Sequence, residues 1–372
     1  LAASDWATAK RLIKAHAGRL TAEGRVATLA EWLGRIPESH VAADPVLAIA
    51  AASTAATAGD LDRAERLAIS AEEEVAAGTP VTVPIASDVE IAAVRATICL
   101  MRRDLAGAAR LARQAAQWER DPSRERYGIG HVLWASALLW QDRCGEARDA
   151  IDEVWAGVET VFIRVMAAGV LAVACFETGD LDRAERVARH AIGVAEEHHV
   201  GPSPEMTLVH IALGGVLTER ADLDGAERHL DSGVELAALW RVPAQVAYGQ
   251  MLRARLYMSQ GQRKEATRLV REAAPVVESA RHAGLLARTL HRTEQAMRSG
   301  GSRSGLGLVE ALTDRELDVL RLLPSHLTQR EIGGQLDVSL NTVKSYTQSL
   351  YRKLGVSSRT DAVDRARALH LL

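Results

Sequence analysis

The chain has 372 residues, 45 Lys and Arg against 48 Asp and Glu, a net charge of −3 and 4% aromatic residues. That length exceeds one ordinary hydrophobic core and predicts several domains or an elongated repeat array. No Val/Ile/Thr-rich alternating run stands between turn signals, which excludes sheet-based folds and predicts an all-α chain.

The three cysteines, Cys99, Cys144 and Cys175, lie far apart and outside any CxxC pair. This argues against a disulfide framework or a zinc site and predicts reduced core thiols in a cytoplasmic protein. Stretches free of Asp, Glu, Lys and Arg, such as Tyr127–Gln141, reach about 15 residues, short of the roughly 20 that a membrane span needs. No signal peptide is evident, and no membrane partner is expected. Opening on Leu1 rather than Met predicts a fragment, a processed product or a trimmed chain. Residues 1–298 carry 35 basic and 40 acidic side chains, whereas 299–372 carry 10 and 8. Nucleic acid, if bound, is therefore expected at the C-terminal end.

Near the N-terminus, Trp32, Leu33 and Pro37, followed by Pro45 and an Ala-rich run, read as the entry to a helical array. The segment GDLDRAERL at Gly59–Leu67 returns as GDLDRAERV at Gly179–Val187. Related segments are RDLAGAARL at Arg103–Leu111, QDRCGEARD at Gln141–Asp149, ADLDGAERH at Ala221–His229 and GQRKEATRL at Gly261–Leu269. The shared alanines stand at 64, 108, 147, 184, 226 and 266, spaced by 44, 39, 37, 42 and 40 residues. Each unit of about 40 residues predicts two helices, with Gly supplying the positive φ that ends the first and Asp capping the second. The small Ala admits a close partner helix, and neighbouring pairs must stack into a superhelix to bury their apolar faces. All seven Trp lie at or before Trp240, and most are expected in the core or between repeats.

Residues 299–307, SGGSRSGLG, have the composition of a flexible linker with a reach of roughly 15–18 Å. Beyond it, four capped helices are predicted. Thr313 with Glu316 and Thr328 with Glu331 form capping boxes for the first two. The third begins at Ser339, after the short turn Asp337–Val338, and ends at Gly355; the fourth follows Ser357–Ser358, with Asp361 available for a further box. The middle pair has helix-turn-helix spacing, which sends the third helix into a major groove. On a helical wheel with Val343 as origin, Thr347, Leu350 and Leu354 fall within about 40° and form the core face. Asn341, Lys344, Ser345, Gln348 and Arg352 fall between about 100° and 200°, and Thr342, Tyr346 and Lys353 at about 260–300°. The outward face suits base edges and the flank suits phosphates. No acid occurs in Val338–Thr360, which holds Lys344, Arg352, Lys353 and Arg359.

The segment Leu312–Leu372 resembles the helix-turn-helix domain of the LuxR family of bacterial regulators, through LTxRELxVL, Glu331-Ile332, NTVK at Asn341–Lys344 and YRKLGVSSR at Tyr351–Arg359. Pro324, Gly333, Tyr346 and Thr347 depart from the family's usual residues. By resemblance, base-reading positions fall on Lys344, Ser345 and Gln348, with Asn341 on the same face; phosphate-contacting positions include Thr342 and Arg352, to which the wheel adds Tyr346 and Lys353. A repeat superhelix ahead of such a domain resembles the C-terminal part of the large ATP-binding members of the family. No GxxxxGK[ST] occurs, so no cofactor is expected here, and ATP enters only if an ATPase module precedes Leu1.

The expected organisation is a tetratricopeptide-like α-solenoid at 1–298, a linker at 299–307 and a LuxR-type four-helix domain at 308–372. The expected function is sequence-specific transcriptional regulation, with activation implied by the resemblance. Expected partners are double-stranded DNA, RNA polymerase, and an effector small molecule or regulatory protein in the superhelix groove. A stripe of Ala362, Ala366 and Leu369, with Val363 beside it, suggests a dimer on DNA. The competing expectation is a protein-interaction scaffold whose DNA binding is secondary. No HExxH, GxSxG or GxGxxG marks an enzyme, and among the twelve His the pair His198–His199 reads as a solvated helix end.

Overall fold

The computed structural model describes residues 6–22, 25–79, 88–119, 127–201, 203–239, 242–278, 284–303, 312–325, 327–354, 356, 358–368 and 371–372. Every regular element among them is helical. The chain enters through α1 (Trp6–Ala22), α2 (Val26–Gly34) and α3 (Glu38–Ala42). Six helix pairs follow among the described residues: α4 and α5 (Pro45–Thr57, Leu61–Ala76), α6 and α7 (Asp88–Met101, Leu105–Trp118), and α8 and α9 (Ile129–Trp140, Cys144–Asp152). The next are α10 and α11 (Val161–Glu177, Leu181–Glu197), α12 and α13 (Met206–Glu219, Leu223–Leu239), and α14 and α15 (Pro243–Ser259, Arg263–Glu278). A single helix α16 (Gly284–Arg303) closes the array. The last four helices are α17 (Asp314–Leu322), α18 (Gln329–Leu336), α19 (Leu340–Leu354) and α20 (Arg359–Ala368).

Each pair turns at the repeated motif. The turning residue is left-handed in all six: Gly59, Gly179 and Gly261, but also Arg103, Asp142 and Ala221, with φ of 63°, 67° and 62°. The next residue donates its N–H back to the carbonyl five residues earlier, as Asp180 does to Cys175 at 2.8 Å and Asp222 to Leu217 at 3.0 Å. This closure satisfies the terminal carbonyls of the first helix. Asp60, Asp104, Asp180 and Asp222 then cap the second helix by accepting from the N–H three residues on. The shared alanines Ala64, Ala108, Ala147, Ala184, Ala226 and Ala266 are all fully buried. A larger side chain at those crossings would hold the helices apart.

The first helices of successive pairs pack on one another, α4 on α6 on α8 on α10 on α12 on α14 on α16. The near-identical motifs also place equivalent charges: Arg102 pairs with Asp62 and Glu65, and Arg220 with Asp182 and Glu185. Such exposed pairs add little energy each, but they fix the register between units. The array closes on itself, because α16 packs on α8 and Arg288 pairs with Asp142 across 146 residues. Inside that closure Glu177, 6% exposed, accepts from the hydroxyl of Tyr248 at 2.6 Å and faces Arg288 and Arg292 at 3.1 and 3.6 Å.

Cys144 and Cys175 are buried and Cys99 is partly buried. Trp6, Trp32, Trp134, Trp140 and Trp155 pack against the repeat cores, Trp118 is 40% exposed, and Trp240 lies outside the described residues. No helix among the described residues is long and apolar enough to cross a membrane.

The expected linker begins as helix instead, since α16 runs on through residues 299–303. Once a helix exists, each added residue brings a hydrogen bond, and this can outweigh the poor propensity of Gly and Ser over a few positions. Residues 304–307 lie outside the described residues.

Candidate nucleic-acid interface

The four C-terminal helices share their own core, centred on Leu317, Leu320, Ile332, Val343, Leu350 and Leu354. Both capping boxes form: Thr313 with Glu316 and Thr328 with Glu331, each hydroxyl accepting from the Glu N–H at 3.3 Å and each carboxylate accepting from the Thr N–H at 2.7 Å. The Thr328 N–H and hydroxyl hold the exposed Glu331 carboxyl below its ordinary range. Asp337, left-handed at φ 53°, ends α18, and the Val338 N–H closes onto the Gly333 carbonyl at 2.9 Å. A Cβ on Gly333 would sit 2.8 Å from the Val338 carbonyl, so the tight turn accounts for the departure at that position. Ser339 caps α19 by accepting from the Thr342 N–H at 3.1 Å. Ser358 accepts likewise from Asp361 at the start of α20.

This frame presents Asn341, Lys344, Ser345, Gln348 and Arg352 on an exposed face of α19, opposite the buried Val343, Thr347 and Leu350. Thr347 satisfies its hydroxyl on the Val343 carbonyl at 2.8 Å, so its polarity is accommodated in the core. The flank differs from the expectation. Thr342, Tyr346 and Lys353 are 7%, 7% and 8% exposed. The Lys353 ammonium lies 2.9 Å from the Glu316 carboxylate, itself 2% exposed, and braces α19 against α17. Arg359, also read as part of the basic surface, donates to the carbonyls of Leu323, Leu327 and Ser325 and clamps the loop between α17 and α18. In α20, Ala362, Val363 and Ala366 are buried in the domain's own core, which corrects the idea of an intermolecular stripe; Leu369 lies outside the described residues.

Tyr346 is buried partly by the repeats. It lines a small gap with Phe176, Glu177, Glu219, Arg255 and Arg292 of the array and Arg315 of α17. Burial first, and then Glu219, pushes its hydroxyl well above the usual tyrosine range. Arg292 is held below the usual range by burial and then by the Arg315 charge.

Residues 90–299, more than half of the chain, match the family model described as the MalT-like TPR region, and residues 310–366 match that of bacterial regulatory proteins of the luxR family. The chain belongs to the MalT-like regulators of the LuxR family. The family's repeat model starts inside α6, yet the pair α4 and α5 ahead of it carries the same turn motif.

The HTH-type transcriptional regulator MalT of Klebsiella pneumoniae is 47% identical over 58 residues, 16% of this chain and 6% of that protein. The transcriptional regulatory protein LiaR of Bacillus subtilis is 33% identical over 108 residues, 29% of this chain and 46% of its own length. The chain thus spans less than half of either relative. Among solved structures, a Rap protein complexed with competence and sporulation factor matches with a TM-score of 0.49 and 16% identity, over 73% of this chain and 81% of that one.

Proposed function

We propose that this member of the family is a sequence-specific DNA-binding regulator of transcription, an activator acting in the cytoplasm, that reads a major groove with α19. The observation that carries the reading is the exposed row Asn341, Lys344, Ser345, Gln348 and Arg352 on a capped helix that follows a short turn. The first four suit base edges and Arg352 a phosphate. Thr342 joins the phosphate contacts, as does Tyr346 once uncovered, whereas Lys353 acts by bracing the helix. The proposed division is a regulatory repeat region at 1–298, a connection at 299–307 and the DNA-binding domain at 308–372. An effector is placed at the recess between α15 and α16, lined by Thr267, Val270, Arg271, Ala274, Glu294 and Met297, whose volume of about 330 Å³ falls at the low end of ligand pockets. DNA and RNA polymerase complete the set of partners.

Selection of duplexes from a random pool by the full chain tests the reading. An enriched motif whose preference is relaxed by Lys344→Ala supports it. No enrichment over random duplex at moderate salt would overturn it and favour an interaction scaffold.

A further inference from the structure

The repeats and the DNA-binding helices meet at one corner. Arg315 of α17 donates at 2.7 Å to the carbonyl of Glu177, the last residue of α10, whose oxygen has no donor within its own helix. A Cβ built on Gly179, in the α10–α11 turn, would run into Val338 and stand 3.5 Å from the Val338 Cβ. Leu181, which opens α11, packs against the core of the DNA-binding helices. Burial opposes the charge of Arg255, but Glu219 and then Asp314 of α17 hold its pKa above the ordinary range. Tyr346 completes the contact, and the remaining gap of about 20 Å³ has room for about one water.

We propose that this corner is an intramolecular docking surface for the DNA-binding domain, and that the docked chain is closed to duplex DNA. The inference rests on the reading of α19 as a recognition helix. Such a helix enters a groove about 12 Å wide and 8.5 Å deep by its N-terminal end. The phosphate strands that wall the groove must therefore pass beside the turn before α19 and along its flank. In this structure Val338 of that turn touches the α10–α11 turn, and Tyr346 of that flank is buried against the array.

Lys344, Ser345 and Gln348 stay exposed, so the dock obstructs the wall of the groove rather than masking the bases. The contact is also built to part. The Tyr346 hydroxyl and Glu219 Oε2 are buried without a hydrogen-bond partner among the described residues, which weakens the docked state relative to an open one.

The 3.5 Å spacing between the Gly179 and Val338 Cβ positions lies within the range of a disulfide, so the full chain carrying Gly179→Cys and Val338→Cys tests the dock directly. Cys144 and Cys175 are buried, with thiols pushed up to about 12, and Gly179→Cys alone controls for Cys99. Binding is measured on the duplex selected by the unmodified chain. The oxidised double variant is expected to bind at least tenfold more weakly than its reduced form. Leu181→Glu, placed on the array and away from the exposed face of α19, is expected to bind at least threefold more tightly than the parent, and it tests the dock even if the cysteine pair misfolds. Equal affinities of the oxidised and reduced forms, or of Leu181→Glu and the parent, overturn the docking inference alone. If neither the parent nor Leu181→Glu, in which the dock is weakened, selects any duplex, the DNA-binding reading falls and takes the inference with it.

Discussion

Replacing Lys353 by Met keeps most of the apolar stem and removes only the ammonium, leaving the Glu316 carboxylate, 2% exposed, without its charged partner. Glu316 would still accept the Thr313 N–H at 2.7 Å, so the capping box survives and the loss isolates the ion pair. Breaking a buried pair by removing one partner costs about 3–5 kcal/mol. A domain of roughly 60 residues is stable by only about 3–9 kcal/mol. The variant is therefore expected to lower the melting of this domain by at least about 12 °C, at roughly 4–8 °C per kcal/mol. Calorimetry of the full chain, with hydrogen exchange on α17 and α19, reads the change. The double variant Glu316→Gln with Lys353→Met should recover most of it, because replacing both partners of a buried pair is often close to neutral. A Lys353→Met chain that melts within 2 °C of the parent while its DNA affinity loses about one unit of salt slope would refute this reasoning; Lys353 would then be a phosphate contact.

Lys344→Ala is expected to lose about 1–3 kcal/mol on the selected duplex and almost nothing on random DNA, in a paired titration. Ala184→Leu, at a fully buried crossing between α10 and α11, should destabilise the array by about 1–3 kcal/mol in urea unfolding, with fluorescence of the repeat tryptophans as the probe. His210 stacks on His229, and burial and then that neighbour push its pKa down to about 4. It is therefore neutral in the folded chain at pH values where an unfolded histidine, at about 6.5, binds a proton. Its contribution is complete above pH 6.5 and declines as the pH falls toward 4, so the parent should lose more stability than His210→Gln between pH 7 and pH 5. With thiols near 12, Cys144 and Cys175 should resist alkylation at pH 8 in the folded chain and react only after unfolding.

The parts of the fold legible in the sequence were those fixed by short-range chemistry. One aligned alanine per unit located all six crossings, and two Thr-x-x-Glu boxes located α17 and α18, because each signal lies within a few residues of its effect. The left-handed turn at Arg103, Asp142 and Ala221 was not legible, because the glycine that signals it elsewhere is missing there. What else stayed hidden was set by partners remote in sequence. Lys353 sits where a wheel of α19 alone suggests a phosphate contact, but its carboxylate lies 37 residues away on α17. Glu316 gave a faint cue, since the third residue of α17 serves a cap and yet points inward. The covering of Tyr346 depends on α12 and α14, and no periodicity within the last sixty residues could report it. The Ala stripe of α20 was ambiguous for the same reason: small residues suit a domain's own core as well as a second copy.

The six turns of the array also divide it mechanically. Gly59, Gly179 and Gly261 hold a left-handed backbone without strain, and the short polar Asp142 tolerates it, whereas Arg103 and Ala221 each carry a penalty of about 1–2 kcal/mol. Strain at a turn lowers the cost of opening the unit that holds it, so opening is expected to start at the costliest joints even though α16 closes back onto α8. The seams of this molecule therefore lie at the α6–α7 and α12–α13 turns. The corner that receives the DNA-binding helices belongs to the unstrained joint between them, so it should remain folded while the units on either side breathe.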